Sequence, residues 1–327
     1  MKKTFNVAIV GATGLIGNKF ISVLEKNSFP IKTLNLLASQ KSEGKIIRAF
    51  GKQITVNKLD KNSFSGVDLA FFSAGKEISN EFVPIALKSG AFVIDNSSAF
   101  RQSKNIPLVV PEINGEILKT TDSRLISNPN CSTAIAVLPL KMLDSRFGVK
   151  RVIFTTYQAI SGSGQRGIND FLSSKNGEKP KFYKVDASKN FIPEIGNYSV
   201  YGYTDEELKL INETQKILGK RLQISATCVR VPIENCHGVS VEAELEKEFL
   251  DEDIKTLFRS VKGTRLCDLP TPQKADGIDD VLIGRIKRSL AFKSGLSYFC
   301  VGDNTLKGAA LNAVQIAQAL VSYGKLQ

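Results

Sequence analysis

Residues 5 to 26, FNVAIVGATGLIGNKFISVLEK, constrain this chain more than any other stretch, because an apolar run passes through a glycine turn into an amphipathic helical pattern. Gly11, Gly14 and Gly17 stand at G-x-x-G-x-x-G spacing. Glycines there let the backbone turn tightly and approach a pyrophosphate, while the following helix N-terminus offers free N–H groups and a favourable dipole. The pattern predicts a dinucleotide-binding strand, turn and helix. Lys2 and Lys3 ahead of the apolar run imitate a secretory leader, but Asn6 and the three glycines interrupt it, and no small-residue cleavage site closes it. The segment is therefore read as the first strand of the fold.

Further strands are expected at TLNLLAS (33–39), VDLAFFSAG (67–75), AFVIDNSSAF (91–100) and PLVVPEI (107–113), separated by helical patterns such as SNEFVPIALKSG (79–90). Apolar strands alternating with helices predict an α/β fold with a Rossmann-like, doubly wound parallel sheet. The second strand runs out into ASQKS, which has no acid for a ribose 2′-hydroxyl but has Ser39, Lys41 and Ser42 for a 2′-phosphate. That favours NADP over NAD.

From about Arg151 the texture changes to longer strands rich in β-branched and polar residues: RVIFTTYQAIS, LQISATCVRVPI, GVSVEAELE, VLIGRIKRS and SYFCVGD. They predict a second, α+β domain with a mixed sheet. A lysine-rich stretch around residues 173 to 190 reads as a surface loop, and a helix begins near Asp205. The last element, TLKGAALNAVQIAQALVSYG, reads as an apolar-faced helix that packs back on the nucleotide domain. A length of 327 residues suits two domains.

Five cysteines, an odd number spread over a long chain, make no disulfide framework and point to free thiols in a reducing, cytoplasmic compartment. One histidine, His237, excludes a multi-histidine metal site, and no metal is expected. No apolar stretch reaches the ~20 residues of a membrane span. The net charge of +12 would suit an anionic partner, but the basic residues are dispersed and there is no Trp, so a solvated lysine-rich surface is preferred over nucleic-acid binding.

Cys131 sits in ISNPNCSTA, where a turn hands over to the helical pattern STAIAVLPLKMLDS, with Pro139 as a kink position. A thiol at a helix N-terminus meets unsatisfied N–H groups, which lower its pKa and favour the thiolate; the same groups suit an oxyanion. The other reading is a buried cap-region cysteine. Cys228 and Cys300 fall inside apolar strand patterns, Cys267 in a loop, and Cys236 beside His237, where strand alternation sends neighbours to opposite faces. If the thiol needs an imidazole acid/base, His237 is the one available.

In collinear order over essentially the whole length, VGATGLIG, SSAFR, VVPEIN, SNPNCST, TTYQAISGSG, EELKLINET, VRVPIENCHGVSVE and KGAALNAVQIA resemble the aspartate-β-semialdehyde dehydrogenase family. The resemblance implies NADPH-dependent reduction of L-aspartyl-4-phosphate to L-aspartate-4-semialdehyde and phosphate, on the route to lysine, threonine and methionine. It implies Cys131 as the nucleophile that forms an acyl-enzyme, His237 as acid/base and Gln158 orienting the acyl group. Arg101, Asn130 and Lys209 would hold phosphate, Arg230 the substrate α-carboxylate and Glu206 its ammonium. The nucleotide would rest on Thr13, Gly14, Leu15 and Ile16, beside Gly11 and Gly17, and on Ser39, Ser161, Gly162 and Gln315. The implied domains are residues 1–130 for NADP, 131–305 for catalysis and dimerisation, and 306–327 for the returning helix, in a homodimer or homotetramer acting on a small molecule. N-acetyl-γ-glutamyl-phosphate reductase is the alternative. Two departures stand out: GVS after His237 lacks the family's hydroxyl-rich stretch, and Ser289 replaces an acid in RIKRS.

Overall fold

The computed structural model describes residues 3–326; Lys2, in the leader-like start, lies outside them, as do Met1 and Gln327 at the ends of the expected terminal segments. The chain forms two compact units, Met1–Pro129 with Ala309–Gln327, and Asn130–Gly308.

The first unit is built on seven strands: β1 (Phe5–Val10), β2 (Ile31–Ala38), β3 (Ile46–Ala49), β4 (Lys52–Lys58), β5 (Leu69–Phe72), β6 (Phe92–Asp95) and β7 (Leu125–Ser127). Their order is β3-β4-β2-β1-β5-β6-β7, and every neighbouring pair is parallel except β3 with β4. Buried on both sides, Val7 to Val10 and Leu69 to Phe72 are continuous apolar runs, as a covered parallel sheet requires. Helices α1 (Leu15–Lys26) and α2 (Lys76–Lys88) are the crossovers, with α3 (Pro111–Asn114) and α4 (Ile117–Thr120) as short turns. Chain order reverses at β1, which has β2 on one side and β5 on the other, so the crevice beyond its carboxyl end is where such sheets take ligands. The helix Leu311–Ser322, entered through a π-helical turn Leu306–Ala310, packs on α1 and α3 within this unit.

One expected strand is absent. Within PLVVPEI only Leu108 bridges Ser127, and Pro111 opens α3. Leu108, Val109 and Val110 are buried, so the apolar run reports core contact without a ladder, and the edge strand is β7, just ahead of the Asn-Pro-Asn turn. The β3–β4 hairpin also escaped the sequence reading.

The second unit carries β8 (Val149–Gln158), β9 (Gln223–Arg230), β10 (His237–Leu245), β11 (Thr264–Leu266), β12 (Val281–Arg288) and β13 (Gly295–Gly302) in the order β11-β12-β13-β10-β8-β9. The sheet is mixed: β8 with β9 and β11 with β12 are parallel, the rest antiparallel. One face is covered by α5 (Cys131–Phe147), α7 (Asp205–Leu218) and α8 (Asp251–Ser260); α6 (Gly164–Lys175) and the short α9 (Pro272–Ala275) lie along its connections. Residues 176 to 199 contain no helix or strand, in line with the expected surface loop. α5 is buried almost all round from Ser132 to Leu140, so it is a central core helix, and it runs on through Pro139.

Candidate active site

Strand register assembles the site. In the parallel pair β8/β9 the last residues, Gln158 and Arg230, are partners, while β10 runs the other way and starts at His237. All three side chains therefore belong to one end of the sheet. Gln158 continues the buried face of Val152, Phe154 and Thr156, which explains why a polar residue in a strand is only 1% exposed.

Cys131 is the first residue of α5, and Asn130 is its N-cap. Asn130 Oδ1 accepts the N–H groups of Ser132 (3.0 Å) and Thr133 (3.4 Å), while its Nδ2 donates to Glu206 Oε1 at 2.9 Å. Two of the first-turn amides expected to serve an oxyanion are thus already partnered by the cap. Glu206 Oε1 also accepts from Gln158 Nε2 at 3.2 Å, and Glu206 Oε2 meets Lys209 Nζ at 3.3 Å. Burial pushes the Glu206 carboxyl up, but Lys209, Asn130, Arg230 and Gln158 together outweigh it and hold it below the usual carboxylate range. Glu206 is an anion at the centre of this group.

Beside Gln158, the Ala159 N–H donates to His237 Nδ1 at 3.0 Å, and the Ala159 carbonyl accepts from Arg230 Nη1 at 2.6 Å. The backbone bond makes Nδ1 the acceptor, so the neutral ring carries its proton on Nε2, which is buried and has no protein partner. Burial first, and the Arg230 charge second, push the His237 pKa down to about 3 against an opposing pull from Glu206. Gly162 closes the arrangement: a Cβ there would stand 2.9 Å from Arg230 Nη1 and 3.0 Å from His237 Nε2. Gly308 does the same for the nucleophile, with its would-be Cβ 2.8 Å from Cys131 Cβ.

The structure thus brings together Cys131, Asn130, Gln158, Glu206, Lys209, Arg230, His237 and Gly162 within the second unit. Ser161 Oγ is bonded to Asn235 and Asn304, so its hydroxyl ties two turns together. Arg101 is in the first unit, where its Nε donates to the Asn128 carbonyl (2.8 Å) and its Nη2 to that of Asn96 (2.6 Å). Also in the first unit, Gly11 to Gly17 form the β1–α1 turn, and Gly14 caps α1 without a side chain to occupy its first amides. A Cβ on Gly17 would lie 2.1 Å from the Gly11 carbonyl oxygen, so only glycine fits. Thr13 Oγ1 donates to Ser42 Oγ at 3.3 Å, joining the turn to the end of β2 where Ser39 is exposed. Gln315 Nε2 donates to Glu112 at 3.0 Å.

Burial pushes the Cys228 thiol up to about 12 and Cys300 also well up, the behaviour of small core residues. Cys236 lies in an apolar cluster with Ala275, Leu282 and Val301, and none of the five cysteines is in a disulfide. Of the two departures, Gly238 lies under the Phe299 ring and Ser289 sits in the turn between β12 and β13. Sequence reasoning missed Gly308 and Glu213; the latter had a signal, since it falls on the helical stripe of Glu206 and Leu210.

Known proteins resemble this chain over nearly its whole length. Residues 6–121 match the family model for the semialdehyde dehydrogenase NAD binding domain, and residues 140–307 that for the semialdehyde dehydrogenase dimerisation domain. Curated aspartate-semialdehyde dehydrogenases from Aquifex aeolicus (44% identical, 98% of this chain and 99% of the relative) and Bacillus subtilis (41%, 98% of each) match end to end. A solved aspartate semialdehyde dehydrogenase II from Vibrio cholerae, complexed with ASA, superposes with a TM-score of 0.94 at 39% identity, covering 98% of this chain and 99% of that one. Among the described residues, no helix is long and apolar enough to cross a membrane.

Proposed function

The chain belongs to the aspartate-semialdehyde dehydrogenase family, and from that premise we propose that it reduces L-aspartyl-4-phosphate to L-aspartate-4-semialdehyde and phosphate with NADPH. The carrying observation is the hydrogen-bonded group that links the cap of the Cys131 helix, through Glu206 and Gln158, to the residue that orients His237. The curated relatives share this activity, and the anionic Glu206 suits an unblocked α-ammonium, so the N-acetyl-γ-glutamyl-phosphate alternative is set aside.

The dinucleotide fits residues 11 to 17: an uncapped helix N-terminus, a close approach guarded by Gly17, and Ser39, Lys41 and Ser42 in place of an acid after β2. Leu15 and Ile16 supply amides there, with Thr13, Ser39 and Gln315 of the same unit as further contacts. When bound, it supplies a hydride to the acyl carbon. The Cys131 thiolate attacks the acyl-phosphate carbonyl, phosphate departs, and a thioester remains on the sulfur. His237 Nε2–H hydrogen-bonds the substrate oxygen through this attack. After reduction the same Nε2–H hydrogen-bonds the thiohemiacetal oxyanion, whose collapse releases the aldehyde and regenerates the thiolate. Arg230 clamps the α-carboxylate with its planar fork, and the bound carboxylate offsets the positive charge beside His237. Lys209 and Asn130 receive the phosphate. We assign the first unit to NADP binding and the second to catalysis and pairing in a homodimer. Five cysteines outside any disulfide suit a reducing cytoplasm.

The test is spectrophotometric: semialdehyde, phosphate and NADP should yield the reduced-nicotinamide band. Cys131→Ala should abolish turnover while NADPH binding survives. Near-normal activity of that variant would overturn the scheme.

A further inference from the structure

A buried acid outside this machinery bears on the nucleophile. Glu213 is on α7, two turns after Glu206, and fully buried. Its Oε2 accepts the main-chain N–H of Asn130 at 2.6 Å. Asn130 is therefore held at two independent points by one helix: its side-chain amide by Glu206 and its backbone by Glu213. A third carboxylate, Glu207, ties α7 to β9 by accepting the Cys228 N–H at 3.0 Å and closes the capping box with Thr204, so the helix itself has little freedom. Burying an acid is costly, and a helix that needed only to cover the sheet would carry leucine at that position.

We infer that Glu213 is a positioning residue for the nucleophile, fixing the Asn130 backbone so that the cap of α5 presents Cys131 in its reactive pose. The inference rests on the assignment of Cys131 as nucleophile. Side-chain bonds alone would let Asn130 pivot about its own χ angles; the backbone bond removes that freedom. The Cys131 sulfur then keeps a fixed place relative to the α5 amides and dipole that favour its thiolate. The charged and titratable groups of this network are Glu206, Glu207, Lys209, Glu213 and Lys216 on α7, Cys228 and Arg230 on β9, and His237 on β10.

The experiment is the pH profile of iodoacetamide inactivation of the free, full-length enzyme, with kcat and KM measured alongside. Glu213→Leu removes the acceptor and should slow inactivation at pH 7 about tenfold, shift the thiol profile up by about one pH unit and lower kcat while KM holds. Glu213→Gln keeps an oxygen at the same reach and should stay within about threefold of the parent. Should Glu213→Leu fail to fold, Glu213→Asp, which withdraws the acid by one methylene, takes its place with the same slowing expected. A folded Leu or Asp variant with the parent profile overturns the inference, as does a Gln variant as impaired as Leu. If the parent enzyme is not inactivated through Cys131, the nucleophile assignment has failed instead.

Discussion

Two helix N-termini carry the proposed chemistry, and they are built in opposite ways. That of α1 is bare: its N-cap is Gly14, with no side chain to satisfy the first amides. That of α5 is filled: Asn130 takes the amides of Ser132 and Thr133, and two buried acids hold Asn130 in turn. A bare end can receive an anion from solution, whereas a locked end holds a covalent nucleophile in one place. In the proposed scheme the same backbone dipole serves binding in one unit and reaction in the other, according to what occupies the cap.

The sharpest way to break the contrast is to fill the bare end. A Cβ on Gly17 must move the Gly11 carbonyl by more than an ångström from its 2.1 Å approach. Gly17→Ala should weaken NADPH binding about 100-fold, as ~3 kcal/mol of overpacking implies, while leaving alkylation of Cys131 intact; fluorescence titration reads the first effect. Retained nucleotide affinity would mean the turn is not the binding site. The matching intrusion at the locked end is Gly308→Ala, whose new methyl would press on Cys131 Cβ at 2.8 Å. It should cost about 30-fold in kcat with NADPH binding unchanged, because a misplacement below an ångström is enough.

Acid distinguishes the units as well, since the one histidine is in the second. His237 has a folded pKa of about 3 against an unfolded value near 6.5, so it binds no proton in the native state where the unfolded chain does. Its neutral burial is fully accommodated above pH 6.5, and stability falls as pH drops from 6.5 towards 3, by roughly 1.4 kcal/mol per pH unit. His237→Gln should flatten that part of a urea-unfolding profile against pH. An unchanged slope between pH 6 and 4 would place the acid sensitivity elsewhere.

The bare end was legible in the sequence because everything that defines it is local: an apolar strand, three glycines and a helix within residues 5 to 26. The place of Cys131 at the head of a helix was legible from the turn before it and the helical run after it. What holds it was not, because Glu213 is 83 positions from Asn130 and reads as one more acid on a charged helix. Gly308 is likewise silent, since its reason for being glycine is a side chain from the start of α5. PLVVPEI misled for a related cause: apolar runs report burial, and burial does not require a ladder.

The smallest expected effect tests the fine structure of the bare end. Ser39 is exposed at the close of β2 and caps the turn Gln40–Ser42 without using its side chain. The Thr13–Ser42 hydrogen bond ties that turn to the glycine loop. A carboxylate at position 39 would accept from a ribose 2′-hydroxyl and repel a 2′-phosphate. Ser39→Asp should therefore lower the NADPH:NADH ratio of kcat/KM by about tenfold, or ~1.4 kcal/mol, through KM with little change in kcat. The effect is modest because the site is solvated and Lys41 still offers a positive charge next to it. A ratio that does not move would show that selectivity is read by other residues than those at the end of β2, while the contrast between bare and locked helix ends would stand.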